Sequence, residues 1–80
     1  MIMEMYAMKD ELNGYTTPIP FMTEDLAKRY LKDQYFGNVT VKNSPKDFSI
    51  WAIGSYDTDT GEYINLPEKK LIERAENYAS

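Results

Sequence analysis

Carboxylates at alternate positions near residue 60 are the first side chains whose spacing suggests chemistry. Asp57 and Asp59 match the first two ligand positions of a calcium-binding loop, and Glu68 falls at the twelfth position, where such loops place a bidentate carboxylate. The middle of the pattern does not match, because the loop needs an oxygen ligand where Gly61 stands and a glycine where Glu62 stands. We therefore interpret Asp57, Asp59 and Gly61 as a structural turn and predict no metal site.

The residue types that most enzymes use are missing from the sequence. The chain of 80 residues contains no histidine and no cysteine, which removes the usual general base, thiolate metal ligands and cysteine nucleophiles. Its serines have no histidine to activate them, and nothing assembles a nucleophile with a base and an orienting group. The sequence therefore predicts a protein that is not an enzyme and has no cofactor.

A group of basic side chains is one candidate for a binding surface. Lys28, Arg29 and Lys32 fall outside the apolar stripe of a predicted helix, and Lys42 and Lys46 follow them in the sequence. Such a cluster is either a solvated helix face or a contact for phosphates or an acidic partner. We keep both readings open.

The aromatic content points to exposed rings. One Trp, seven Tyr and three Phe are more aromatic side chains than a core of this size easily hides, because each buried tyrosine hydroxyl needs a hydrogen-bond partner. Exposed rings such as those of Trp51 and Tyr56 could stack on bases of a single strand of nucleic acid, or could anchor a protein interface.

Length and charge limit the classes of protein that remain. With 42% apolar and 28% charged residues, the chain is predicted to form a single domain, 1–80. The net charge of −4 argues against a protein that mainly coats phosphate backbones. A core this small favours a homodimer. The apolar runs are short and interrupted by charges, so we expect no membrane span, no signal peptide and a cytosolic location.

The first half of the chain predicts a strand and a helix. Residues 3–9 alternate in polarity and are interpreted as a strand, and residues 16–21 form an extended connection because they contain two prolines. Thr23 is the predicted N-cap of a helix over 24–36, which Gly37 ends in a left-handed conformation. The apolar stripe of this helix is expected to comprise Leu26, Ala27, Tyr30, Leu31 and Gln34.

The second half predicts a hairpin followed by a helix. Residues 39–41 are β-branched and favour a weak middle strand. Two runs over 48–56 and 62–66 form a hairpin in which Gly61 takes a positive φ, and residues 67–78 form a short terminal helix. The predicted fold is α+β, with a small antiparallel sheet made of the N-terminal strand, the middle strand and the hairpin, covered by the main helix.

The hairpin contains a block of sequence that resembles a known family. Residues 45–61 read PKDFSIWAIGSYDTDTG, which is similar to the PxD[YF]x[LI][YFW]xIGx[YF]DxxTG block of the small nonstructural protein of gokushovirus-type microviruses, which are circular single-stranded DNA phages. The segments MYAMKD, PF and DLAKR further upstream resemble the opening strand, the Pro-Phe step and the helix start of the same family. Ser55 departs from the pattern, since an acidic residue is common there.

The resemblance implies a nonstructural phage protein in the cytoplasm of the infected bacterium, where it acts as single-stranded progeny DNA is made. Two functions are compatible with it. The first is a replication accessory that contacts single-stranded DNA or the replication complex through Lys28, Arg29 and Lys32, with Trp51 and Tyr56 as stacking rings. The second is a modulator that binds a host protein and does not bind DNA.

Overall fold

The structure, a computed structural model, describes residues 1–78. The last two residues of the predicted domain therefore lie outside the described part. In chain order its elements are β1 (Ile2–Asp10), β2 (Gly14–Tyr15), β3 (Ile19–Phe21), α1 (Glu24–Gly37), α2 (Val39–Asn43), a first 3-10 helix (Pro45–Asp47), β4 (Phe48–Asp57), β5 (Tyr63–Arg74) and a second 3-10 helix (Ala75–Tyr78).

The strands of this part form one antiparallel sheet in the order β2-β1-β4-β5, with β3 also paired to β1. β4 is the central strand. It pairs with β1 from Phe48 opposite Asp10 to Asp57 opposite Ile2, and with β5 along its other side. The α+β class, the N-terminal strand and the hairpin are confirmed.

A bulge in β4 decides which side chains point to each side of the sheet. Met5 pairs with Gly54 and Tyr6 pairs with Ala52, so Ile53 is the extra residue. Directly paired residues share a face. Tyr6 and Ala52 therefore lie on one face, and Met5 and Gly54 lie on the other.

Gly54 allows the two strands of the hairpin to approach closely. A Cβ at this position would lie 2.6 Å from the carbonyl oxygen of Ile64 and 2.7 Å from the hydroxyl oxygen of Tyr63. Backbone would have to move to accommodate any side chain, which explains a glycine in the middle of a strand.

α1 covers the face that contains Tyr6 and Ala52, and the buried core lies between them. Ala27 and Leu31 of α1 are fully buried against this face. Burial of a large apolar side chain such as that of Leu31 contributes about 1.5–3 kcal/mol to stability. The core cluster consists of Tyr6, Ala27, Leu31, Tyr35, Val41, Phe48, Ile50, Ala52 and Ala75.

α1 begins where the sequence predicts. The hydroxyl of Thr23 accepts a hydrogen bond from the amide of Leu26 at 3.2 Å, and Glu24 and Asp25 occupy the first turn. The buried stripe differs from the predicted one, because Leu26 is 38% exposed whereas Tyr35, which was not predicted, is buried. None of the helices in residues 1–78 has the length and apolar character needed to cross a membrane.

Two predictions for the segment after α1 are wrong. Gly37 is the last helical residue and does not have a positive φ. Residues 39–41 belong to α2 instead of a strand. The side chain of Asn38 accepts a hydrogen bond from the amide of Thr40 at 2.9 Å, and the turn that it starts buries Val41 in the core. Capping and burial therefore outweigh the β propensity of these residues.

The predicted terminal helix over 67–78 is also wrong. β5 continues to Arg74, and only the 3-10 turn Ala75–Tyr78 follows. Pro67 fits because β5 is an edge strand, where a missing N–H costs no ladder hydrogen bond. Leu71 and Ile72 match a helical stripe, but pairing with β4 places Leu71 opposite Trp51, whereas Ile72 packs against the core. This long-range pairing decides the structure.

The free edge of β5 is irregular. Its pairing with β4 shifts register between Ile50 and Trp51 and again between Ala52 and Gly54, so extra residues of β5 bulge from the ladder. Bulges, a proline and lysines are features that prevent edge strands from pairing with other chains. The homodimer stays a prediction, and this edge is a poor surface for it.

The turn of the hairpin depends on Gly61, as predicted. Its φ is +75°, and its amide donates to the carbonyl oxygen of Asp57 at 2.7 Å. A side chain in this conformation is strained.

Gly61→Ala should therefore lower the free energy of unfolding by about 1–2 kcal/mol. Gly37→Ala is the matched control, since Gly37 has ordinary helical φ and open space around its Cα, and it should leave stability unchanged or raise it by up to about 1 kcal/mol. Urea denaturation of both variants measures the difference. Equal midpoints would contradict the role of Gly61.

Candidate nucleic-acid interface

The sheet face opposite α1, which we call the open face, carries the most distinctive group of side chains. Ile50 and Ala52 belong to the core under α1, so Trp51 between them points to the other side. Ala7 and Leu71 pair directly with Trp51 from β1 and β5 and lie on the same face.

Two aromatic rings and two lysines meet on the open face. The rings of Tyr15 and Trp51 pack edge to face, with 6.5 Å between centroids. Lys9 Nζ lies 5.5 Å from the Tyr15 centroid and 5.7 Å from the Trp51 centroid, and Lys69 Nζ lies 5.8 Å from that of Tyr15. These distances fall in the range of cation–π attraction. We call Lys9, Tyr15, Trp51 and Lys69 the aromatic-lysine cluster.

The strands hold the cluster in place. Lys9 and Tyr15 are cross-strand partners on β1 and β2. The indole Nε1–H of Trp51 donates to the hydroxyl of Ser49 at 2.8 Å, and Ser49 is 2% exposed. Because this hydrogen bond fixes the indole, the ring is held in one orientation rather than free to rotate.

The local charge differs from that of the whole chain. Lys9 lies 3.7 Å from the carboxylate of Glu11, and both side chains are partly exposed, so water screens this ion pair. The cluster thus places two ammonium groups beside the exposed ring of Tyr15, although the net charge of the chain is −4. An anion would meet a locally positive surface.

Tyr56 lies on the open face but away from the cluster. It pairs with Met3, which shares a face with Met5, and it is 36% exposed. It lies five positions after Trp51 along β4, a distance of about 16 Å. Tyr56 is therefore a separate exposed ring.

The structure does not bring the predicted basic residues to these rings. Lys28, Arg29 and Lys32 lie on α1, on the other side of the sheet from Trp51. Asp25 and Asp33 lie four residues before and after Arg29, at the spacing at which helical side chains neighbour one another and partly neutralise its charge. The other two predicted cations are exposed on separate short helices, Lys42 on α2 and Lys46 on the first 3-10 helix.

Asp57 and Asp59 organise the hairpin turn. The amide of Asp59 donates to the Asp57 carboxylate at 2.9 Å, and this hydrogen bond holds the pKa of Asp57 below its usual range. The ionised carboxylate of Asp57 therefore contributes to stability at neutral pH, and this contribution is lost as the pH falls through the lowered pKa. Within residues 1–78 no three acidic side chains are grouped as metal ligands.

Sequence reasoning missed Lys9, Tyr15 and Lys69 as site residues. A signal for the first two was present, since Asn13-Gly14 marks a turn that returns the chain onto β1 and sets Tyr15 opposite Lys9. No local signal could have placed Lys69, because its position depends on the bulges of β5.

Comparison with known proteins identifies the family. The family model described as Phage ORF5 protein matches residues 3–78, nearly the whole chain. The chain belongs to the Phage ORF5 protein family. This match confirms that the chain is a small phage protein, as the resemblance of the hairpin block implies. The match is compatible with a microvirus origin. Comparison of this family member with curated proteins and with solved structures gives no match.

Trp51 is the single tryptophan of the chain and reports on the cluster directly. Tyr15→Ala removes the ring that packs against it, so acrylamide should quench Trp51 fluorescence more strongly than in the unmodified protein. Phe36→Ala, which removes an exposed ring from α1, is the control and should leave quenching unchanged. Identical quenching of all three proteins would contradict the Tyr15–Trp51 contact.

Proposed function

We propose that this phage protein is a replication accessory that binds single-stranded DNA through the aromatic-lysine cluster. The observation that carries the proposal is the meeting of two rings and two lysines on the open face. The resemblance to the microvirus nonstructural protein supports a role in single-stranded genome production, in the cytoplasm of the infected cell. The proposed role is binding, without a catalytic step.

The cluster matches the chemistry of a single strand. Proteins that bind single strands combine cations that contact phosphates with rings on which bases stack, and each stacked base contributes about 1–3 kcal/mol. Tyr15 is 41% exposed, so part of its ring is available to a base. Lys9 and Lys69 beside it are placed to contact the flanking phosphates.

Single strands should bind better than duplex. In a duplex the bases are stacked inside and cannot reach Tyr15 or Trp51, whereas phosphates remain the only attraction. The net charge of −4 opposes a contact that relies on phosphates alone. Stacking is therefore expected to determine the preference.

Fluorescence anisotropy with a labelled oligothymidine of about 12 nucleotides tests the proposal at low and physiological salt. If Lys9 and Lys69 each neutralise one phosphate, a plot of log affinity against log salt concentration should have a slope of about −1.4. Lys9→Glu with Lys69→Glu should abolish most of the affinity, and Trp51→Leu should cost about 1–3 kcal/mol at either salt concentration.

Arg29→Glu with Lys32→Glu is the matched control, because it changes the net charge equally on exposed positions of α1. It should lower the affinity far less than the open-face pair. Equal losses would mean that the affinity follows the net charge and not the open face, and a larger loss from the α1 pair would place the binding surface on α1; either result would contradict the proposal. Absence of binding at low salt would contradict the proposal and favour the modulator of a host protein.

A further inference from the structure

A groove lies on the helix side of the sheet, beside the start of α1. It consists of two adjoining cavities that share Glu4 in their walls. The first, of about 460 Å³, is lined by Met1, Ile2 and Met22. The second, of about 250 Å³, is lined by Ala52, Leu66 and Ile72, with the paired side chains of Glu24 and Lys70 in its wall. The larger cavity is within the size range of ligand sites.

Large apolar side chains are exposed around the groove. Ile2 is 62% exposed, Met22 is 72% exposed and Ile64 is 55% exposed. Pairing across the sheet places Glu4, Ser55 and Ile64 in one row on this face. Apolar groups exposed together in this way mark sites of protein interaction.

Glu4 is a carboxylate held in position between the two cavities. It accepts a hydrogen bond from the hydroxyl of Tyr6, which is 1% exposed. Burial and the hydrogen bond to Glu4 raise the pKa of Tyr6, so the phenol remains a donor at neutral pH. The neighbouring carboxylate, Glu24, already lies 3.7 Å from Lys70. Among the ion pairs of residues 1–78, none includes Glu4.

We propose that this groove binds an extended protein segment in which a Lys or Arg lies between two large apolar residues, each two positions away. Alternate residues of an extended segment point to the same side and are about 7 Å apart. The cation of such a segment reaches Glu4 while its apolar neighbours enter the two cavities. Charge complementarity with Glu4 therefore selects the central residue, and the apolar walls select the flanking ones.

The proposed partner is a protein rather than nucleic acid. Glu24 is paired with Lys70, whereas the carboxylate of Glu4 is in none of the ion pairs of residues 1–78 and would repel phosphates at this groove. The groove also lies on the opposite face from the aromatic-lysine cluster, so the two surfaces can be tested separately. If the protein does not bind DNA, the proposal for this groove still stands. If the groove binds no protein segment, the proposal for DNA still stands.

The peptide acetyl-Leu-Ser-Arg-Ser-Leu-amide is a suitable probe, titrated into the full-length ¹⁵N-labelled protein and followed by NMR. Shift changes should centre on the amides of Glu4, Tyr6 and Met22, with an affinity of about millimolar. Replacement of the arginine of the peptide by glutamine should weaken binding about threefold to fivefold.

Glu4→Gln keeps an acceptor for the Tyr6 hydroxyl but removes the charge. In this variant the two peptides should bind equally, whereas Glu62→Gln, a change at an exposed turn residue, should preserve the preference for arginine. The proposal would be overturned if the peptide caused no shift changes, or only changes on the open face. It would also be overturned if Glu4→Gln still preferred the arginine peptide.

Discussion

Pairing of β4 with β1 on one side and β5 on the other is the interaction on which the rest of the structure depends. It joins the N-terminal strand to the last strand of the chain and supplies Phe48, Ile50 and Ala52 to the core. The alternation of β4 also places Trp51 on the opposite face from these residues. One strand thus determines both the packing under α1 and the position of the exposed indole.

The two faces of the sheet have different chemistry. On the open face, the ammonium group of Lys9 lies near the rings of Tyr15 and Trp51, and that of Lys69 lies near the ring of Tyr15. On the helix face, the surface beyond α1 combines exposed apolar side chains with the carboxylate of Glu4. The lysines of the open face are thus separated from Glu4 on the helix face, in a chain whose net charge is −4. In the two proposals above, DNA and a protein segment would contact opposite faces of the sheet.

Local signals in the sequence predicted the elements that local interactions decide. The Thr23 cap and the Gly61 turn are of this kind, because each involves residues close in the chain. The part of β5 from Pro67 onward was predicted as a helix, since its apolar spacing fits both structures and the pairing that decides between them is long-range. The candidate cluster was predicted in part for the same reason: Trp51 was identified from its residue type, but Lys9 and Lys69 join the cluster only through the arrangement of the strands.

NMR titration with oligothymidine is the most direct test of the proposed DNA contact on the open face. Because the chain has one tryptophan, its indole N–H gives a single assignable signal. Addition of oligothymidine should shift that signal together with the amides of Lys9, Tyr15 and Leu71, and should leave the exposed amides of α1 in place. Shifts centred on α1, or none at the indole, would contradict the assignment of DNA binding to the open face.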